Sequence, residues 1–341
     1  MKLTSVKEMV GMAIVADFLK KLKVGEEQLK DNLVIFPLLA DESGEPGYIL
    51  LDEVLEQGAF EVQEASIEGS VNEILVRNKG DRPVLILDGE ILMGAKQNRV
   101  VNASILVGPK AELKVPVSCV EQQRWRYVSE KFTESRRFSY ARMRAQKNEQ
   151  VTGCLMAYGT FDADQSAIWD EVERKQREMR VESATRAVND VYESHEEKLK
   201  KYCEAFYALE GQAGAAVFIN GQFACLDAFD SPVSLQKLYK KMVESYALDA
   251  LEVAGQERKE VNERDVRELL DRAATARVSA YPSVGLGEDL RIRGEGLAGS
   301  CLTSGGKVIH LALFASESVD RERRNSQLSR PSRRRRGHTI F

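Results

Sequence analysis

From Asp88 to Trp125 the chain reads DGEILMGAKQNRVVNASILVGPKAELKVPVSCVEQQRW, with carboxylates, amides, cations and a thiol set among short apolar runs. Asp88, Glu90, Lys96, Gln97, Asn98, Arg99, Asn102, Cys119, Glu121 and Arg124 all fall within it. Such groups are costly to bury unless they pair with one another or hold a ligand. Asp88 and Glu90 flank Gly89 after an apolar run, which suits a carboxylate pair at a strand end acting as a general base or holding Mg²⁺. A simple Asp-Gly turn gives the same pattern. Glu121 is a third carboxylate candidate for base or metal work.

An extended chain over Gln97 to Asn102 sends Gln97, Arg99 and Val101 to one face and Asn98, Val100 and Asn102 to the other. Both faces then carry polar groups. They form either a pocket in which amides and a guanidinium bind a planar or phosphorylated ligand, or a buried network that fixes strand register. In the first reading Lys96, Arg99 and Arg124 pair with phosphate, while Gln97, Asn98, Asn102 and Trp125 orient the ligand. Glu121 to Gln150 adds eight lysines and arginines against four glutamates, interleaved with Trp125, Tyr127, Phe138 and Tyr140. This patch could cradle a nucleotide, and an exposed amphipathic helix would look the same. Gln165 and Trp169 open a further helix whose first amides could meet an anion, with Asp162 or Asp164 as its cap. Cys119, His195 and His310 each read as buried core residues, although Cys119 beside a cation could also be a nucleophile.

The elements that must hold these residues follow from periodicity. A helix is expected over Met9 to Leu22, and NLVIFPLLAD reads as a strand. Strands are expected at Tyr48 to Leu51, Phe60 to Ala65, Glu73 to Asn78, Val84 to Leu87, Gln97 to Ile105 and Glu112 to Val117. From Glu134 to Leu209 the three-and-four spacing of Val188, Val191, His195, Leu199, Tyr202, Phe206 and Leu209 indicates helix. Asn220-Gly221 between two apolar runs signals a hairpin. Ser231-Pro232 starts a helix towards Val253, and Asn262 starts another ending near Ser279. Residues 289 to 314 read as a closing meander. The fold class expected is therefore α+β, an antiparallel β-rich body, sheet or sandwich, with a helical layer. Residues 1–315 form one domain in this reading, β-rich over 30–120, helical over 134–210 and mixed over 214–315. The Arg/Ser-rich stretch 316–341 is expected to be disordered.

At 341 residues with 43% hydrophobic content, the chain can bury a sizeable core. No apolar run approaches the length of a membrane span, and no secretory signal opens the sequence, so a cytoplasmic protein is expected. Five widely spaced cysteines and three histidines give neither a disulfide framework nor a histidine-rich metal centre. No cofactor is assigned by the motifs, and Mg²⁺ through the carboxylates stays open. The net charge of −4 divides into about +5 over 316–341 and −9 elsewhere, and an acidic body does not suit general nucleic-acid binding. GEGLAG at 294–299 lacks the strand-to-helix setting of a dinucleotide fingerprint.

The runs DGEILMGAKQNRVVN, PVSCVEQQRW, DQSAIWDEV and GLGEDLRIRGEGLAGSCL, with VIHLALF, resemble the ADP-ribosylglycohydrolase and rhodanese-phosphatase associated protein domain over about residues 20 to 315. The resemblance implies a role in NAD-derived or ADP-ribose metabolism and carries no catalytic assignment. It frames two expectations. One is a module that binds, and could hydrolyse, an ADP-ribose-like or nucleotide ligand between the QNR strand, the VEQQRW segment and the DQSAIW helix. The other is a noncatalytic scaffold, a homo-oligomer or a partner of NAD-pathway proteins, in which the polar cluster is structural.

Overall fold

The strand Leu33–Leu39, LVIFPLL, is buried on both faces, and the reason lies in its alternation. Leu33 and Ile35 enter one hydrophobic core, Val34, Phe36 and Leu38 another, as the two-residue period of a strand requires. In the computed structural model, which describes residues 5–41, 44–66 and 72–316, this strand sits inside a nine-stranded antiparallel sheet. Its order is Lys23–Val24, Leu33–Leu39, Gln212–Ile219, Gln222–Phe229, Lys307–Ala315, Leu297–Ser304, Glu288–Gly294 and Arg277–Pro282, with Gln28–Lys30 also paired to Leu33–Leu39. The last four strands in the chain form the expected closing meander.

Helices cover both faces of this sheet. Val6–Lys21, opened by a Ser5–Glu8 capping box, and Glu263–Ala274 supply Val15, Leu19, Val266 and Leu269 to the core on one side. Pro232–Glu252 supplies Leu235, Leu238, Met242 and Tyr246 on the other, with Met143 from Ala141–Tyr158. A smaller β body carries the polar stretch. It comprises a six-stranded sheet, Phe132–Phe138, Glu90–Gly94, Arg99–Val101, Glu112–Cys119, Glu73–Asn78 and Phe60–Glu64, and a three-stranded one, Ile105–Val107, Val84–Ile86 and Ile49–Leu50. The molecule is α+β, with an antiparallel β-rich body and a helical layer.

Several expectations are corrected by non-local partners. The strand expected over Gln97 to Ile105 splits into Arg99–Val101 and Ile105–Val107. Between them Asn102 bonds Phe161 and Ser118, and Ser104 accepts from the Asp88 amide. The helical run expected from Glu134 starts only at Ala141, because FTESRRF pairs with Glu90–Gly94 as an edge strand, where charge is tolerated. His195 does not sit within a helix but separates Val188–Ser194 from Glu196–Cys203. The helix from Asn262 ends at Ala274 rather than near Ser279, and Arg277–Pro282 is a strand. The Asn220-Gly221 hairpin forms as expected, with φ of 51° and 76° at the two turn residues. The expected disordered stretch lies outside the described residues beyond Ser316.

Candidate functional site

Asp88 and Glu90 leave one turn in different directions. Glu90 N donates to Leu87 O at 3.1 Å, closing a tight turn in which Gly89 has φ +96°. Asp88 is buried against Lys147 Nζ at 2.5 Å and Arg144 Nε at 3.4 Å. Glu90 is held instead by Lys241 Nζ at 2.9 Å from both oxygens, and Lys241 also bonds Asp52. Burial pushes the Glu90 carboxyl up to about 7, with Lys241 opposing and Asp52 adding to the rise. The two carboxylates therefore serve separate clusters. No group of three or more His, Cys, Asp or Glu able to hold a metal ion occurs among the described residues.

The Asp88 cluster extends to groups that the sequence did not single out as a unit. Arg144 makes a two-pronged bond to Asp227 at 2.9 and 2.7 Å, and Tyr246 donates its hydroxyl to the same carboxylate at 2.8 Å. His310 meets Asp227 through Nε2 at 3.2 Å and Ser104 Oγ through Nδ1 at 2.8 Å, with its ring stacked on Phe229 at 4.7 Å. Burial alone would raise the Asp227 carboxyl, but Arg144 and His310 hold it well below the usual range. The signal in the sequence was one polar side chain inside each apolar run, FACLDAF and VIHLALF. These groups are all buried, Ser104 at 6% being the most exposed of Asp88, Ser104, Arg144, Asp227 and His310.

In the QNR segment only Arg99 lies in the strand Arg99–Val101, and Gln97 and Asn98 lead into it. Arg99 Nη1 donates to Gln97 Oε1 at 3.2 Å and lies against the Cys119 thiol, while Nη2 reaches Glu64 at 3.5 Å. Burial raises the Cys119 thiol to about 11, which does not favour a nucleophilic thiolate. Asn98 accepts from Arg124 Nη2 at 3.0 Å. Gln165 clamps the backbone of Cys119 with 2.7 and 2.8 Å bonds to its N and O, docking the helix Gln165–Glu178 on the strand end. Asp164 caps that helix. Trp169 is partly buried, and its Nε1 has no hydrogen-bond partner among the described residues. His195 Nδ1 lies 3.1 Å from Val191 O.

Around Trp125 the chain forms an exposed aromatic ledge. Trp125 and Tyr127 are about half exposed; Lys96 Nζ lies 5.4 and 5.1 Å from their ring centres, and the Arg99 guanidinium 5.6 Å from that of Trp125. The ledge is pinned where Val128 N donates to Ala95 O at 3.0 Å and Ala95 N to Ser129 Oγ at 2.9 Å. On one side of Val128 and Ser129 lies a cavity of about 690 Å³, lined by Gln63, Glu64, Leu75 and Tyr127. On the other lies one of about 390 Å³, lined by Asn98, Glu121, Arg124, Asn189 and Asp190. Of the residues picked from the sequence, the structure thus brings Asn98, Glu121 and Arg124 to one cavity and Lys96, Arg99 and Trp125 to the ledge beside it. Gln97 lies next to Arg99, whereas Asp88, Glu90, Asn102, Gln165 and Trp169 do not line either cavity.

No curated protein and no solved structure matches the chain. A family model matches residues 21–314, which include the QNR strand, the ledge and both cavities. The chain accordingly belongs to the family of the ARG and Rhodanese-Phosphatase-superfamily-associated Protein domain.

Proposed function

We propose that the protein binds a small nucleotide-like ligand, of ADP-ribose type, across the ledge formed by Trp125, Tyr127, Val128 and Ser129. The observation that carries this reading is that two cavities share Val128 and Ser129 beside two half-exposed aromatic rings. Aromatic faces stack bases, and a neighbouring polar cavity gives room for a sugar. Of the three carboxylates picked from the sequence, Glu121 lines one of these two cavities and Asp88 and Glu90 line neither. A hydrolytic step, if the bound ligand undergoes one, would use Glu121 as its general base.

A second reading has its own support. Arg99 is engaged by Glu64 and Gln97, and Arg124 by Glu121, Asn98 and three carbonyls. Such closure is what a structural network in a noncatalytic partner protein would need. One experiment separates the two: a thermal-shift screen of the full chain against ADP-ribose, NAD, nucleosides and nucleotides, with and without Mg²⁺. A ligand bound by the native state must raise its melting temperature. A shift that Trp125→Ala removes, in a protein that still folds, favours the binding site; a flat panel favours the partner role.

A further inference from the structure

Resting on the nucleotide-binding reading above, we infer that the Glu64 carboxylate keeps the place of an oxyanion, and that a phosphate of the ligand displaces it to reach Arg99 and the Lys96 amide. Glu64 closes the edge strand Phe60–Glu64 and lines the cavity of about 690 Å³ beside the ledge. Its Oε1 accepts from Lys96 N at 3.2 Å, and its Oε2 lies 3.5 Å from Arg99 Nη2. Arg99 is fully buried, and a guanidinium ordinarily holds its carboxylate closer than that. Arg144 meets Asp227 at 2.7 Å and Arg291 meets Asp289 at 2.6 Å. The bonds that Glu64 makes are therefore weak ones for a charge so costly to bury.

The cradle that Glu64 fills does not depend on Glu64 for its shape. The Ala95 carbonyl, in the same peptide plane as Lys96 N, accepts from Val128 N and Arg124 Nη1, and Ala95 N donates to Ser129 Oγ, so the Lys96 amide keeps its direction. Arg99 Nη1 is held separately, by Gln97 Oε1 at 3.2 Å and against the Cys119 thiol. Departure of Glu64 thus leaves a preorganised amide and guanidinium, and the cavity that Glu64 already lines has room for its side chain to swing into. A phosphate suits the vacated place better than the carboxylate, because it offers more oxygens and more charge to the same donors. Lys96 Nζ lies over the rings of Trp125 and Tyr127, and the Arg99 guanidinium over that of Trp125. A phosphate carried on a ring stacked at the ledge therefore meets two cations.

Calorimetric titration of the full chain with inorganic pyrophosphate, adenosine and ADP tests this in the wild type, Glu64→Gln and Glu64→Asp. Both substitutions free Arg99 from the competing carboxylate, the first by removing its charge and the second by shortening its reach. Pyrophosphate and ADP are expected to bind Glu64→Gln about tenfold more tightly than the wild type, while adenosine affinity stays the same. Glu64→Asp is expected to move in the same direction, and it decides the matter if Glu64→Gln does not fold. Adding Arg99→Gln to Glu64→Gln should abolish the gain, and a gain that survives it would overturn the inference. Adenosine binding with no tightening of pyrophosphate or ADP in either variant would also overturn it, while leaving the nucleotide reading intact. Pyrophosphate binding that Glu64→Gln strengthens, without adenosine binding, would support the oxyanion place and sink the stacking of a base on the ledge. An equal gain for adenosine would mean a loosened site and overturn the displacement. No binding of the three compounds by any variant would overturn both.

Discussion

Gly89 is the residue on which the position of Asp88 turns. Its φ of +96° lies where side chains are rarely accommodated, and a Cβ there would meet Arg144 Cδ at 2.8 Å. The Asp-Gly dipeptide was legible in the sequence as a turn, but not the guanidinium packed against it, because Arg144 lies on a helix far along the chain. Gly89→Ala therefore combines backbone strain with displacement of a buried cation. It is expected to cost roughly 1–3 kcal/mol of stability, read from the shift in urea midpoint. An unchanged midpoint would mean that Arg144 can move aside freely, and that the network around Asp88 is looser than its bonds indicate.

Four elements meet where Lys241, on Pro232–Glu252, faces Glu90, Asp52 and, close by, Glu134 on the edge strand Phe132–Phe138. Burial, then hydrogen bonding to Asp52, pushes Glu134 up to about 7, with Lys241 and Arg136 opposing; burial brings Glu90 to a similar value. Both folded-state values lie above the ordinary 4.5, so the folded protein holds these protons more tightly than the unfolded chain. The stabilisation is complete below about pH 4.5 and is lost as the pH rises through about 7. The melting temperature should fall over that window, and Glu134→Gln should flatten the fall; a wild-type profile that is level there would refute the assignment. This seam was hard to read from sequence for a plain reason. The Asn220-Gly221 hairpin is decided by two adjacent residues and was foreseen, whereas FTESRRF looks helical until Glu90–Gly94 supplies a strand beside it. The site divided likewise. Asn98, Glu121 and Arg124 were close enough in sequence to suggest one another, but Asn189 and Asp190 reach the cavity only through tertiary packing.

At the scale of the molecule, the helix Ala141–Tyr158 joins the large sheet to the smaller β body through charge. Arg144 grips Asp227 on the large sheet and Asp88 below the small one, while Lys147 bonds Asp88 and the carbonyl of Val101. Asp289 and Arg291, paired at 2.6 Å, belong to the same field: Asp88 raises the Asp289 carboxyl and Arg291 lowers the Lys147 ammonium, each adding to a larger effect of burial. Three buried carboxylates thus face three buried cations. Such a network contributes little net stability relative to a well-packed apolar core, but removing one member leaves a buried charge uncompensated, at a cost of about 3–5 kcal/mol. Asp227→Asn should incur most of that cost. Because the network spans both β parts, the loss should fall on them together. Urea unfolding of the variant should remain one transition, with far-UV circular dichroism coinciding with the fluorescence of Trp125 and Trp169, which report from the smaller body and its docked helix. If the fluorescence transition moved ahead of the dichroism, the two parts would be independent folding units, and the expectation of one domain over 1–315 would fall.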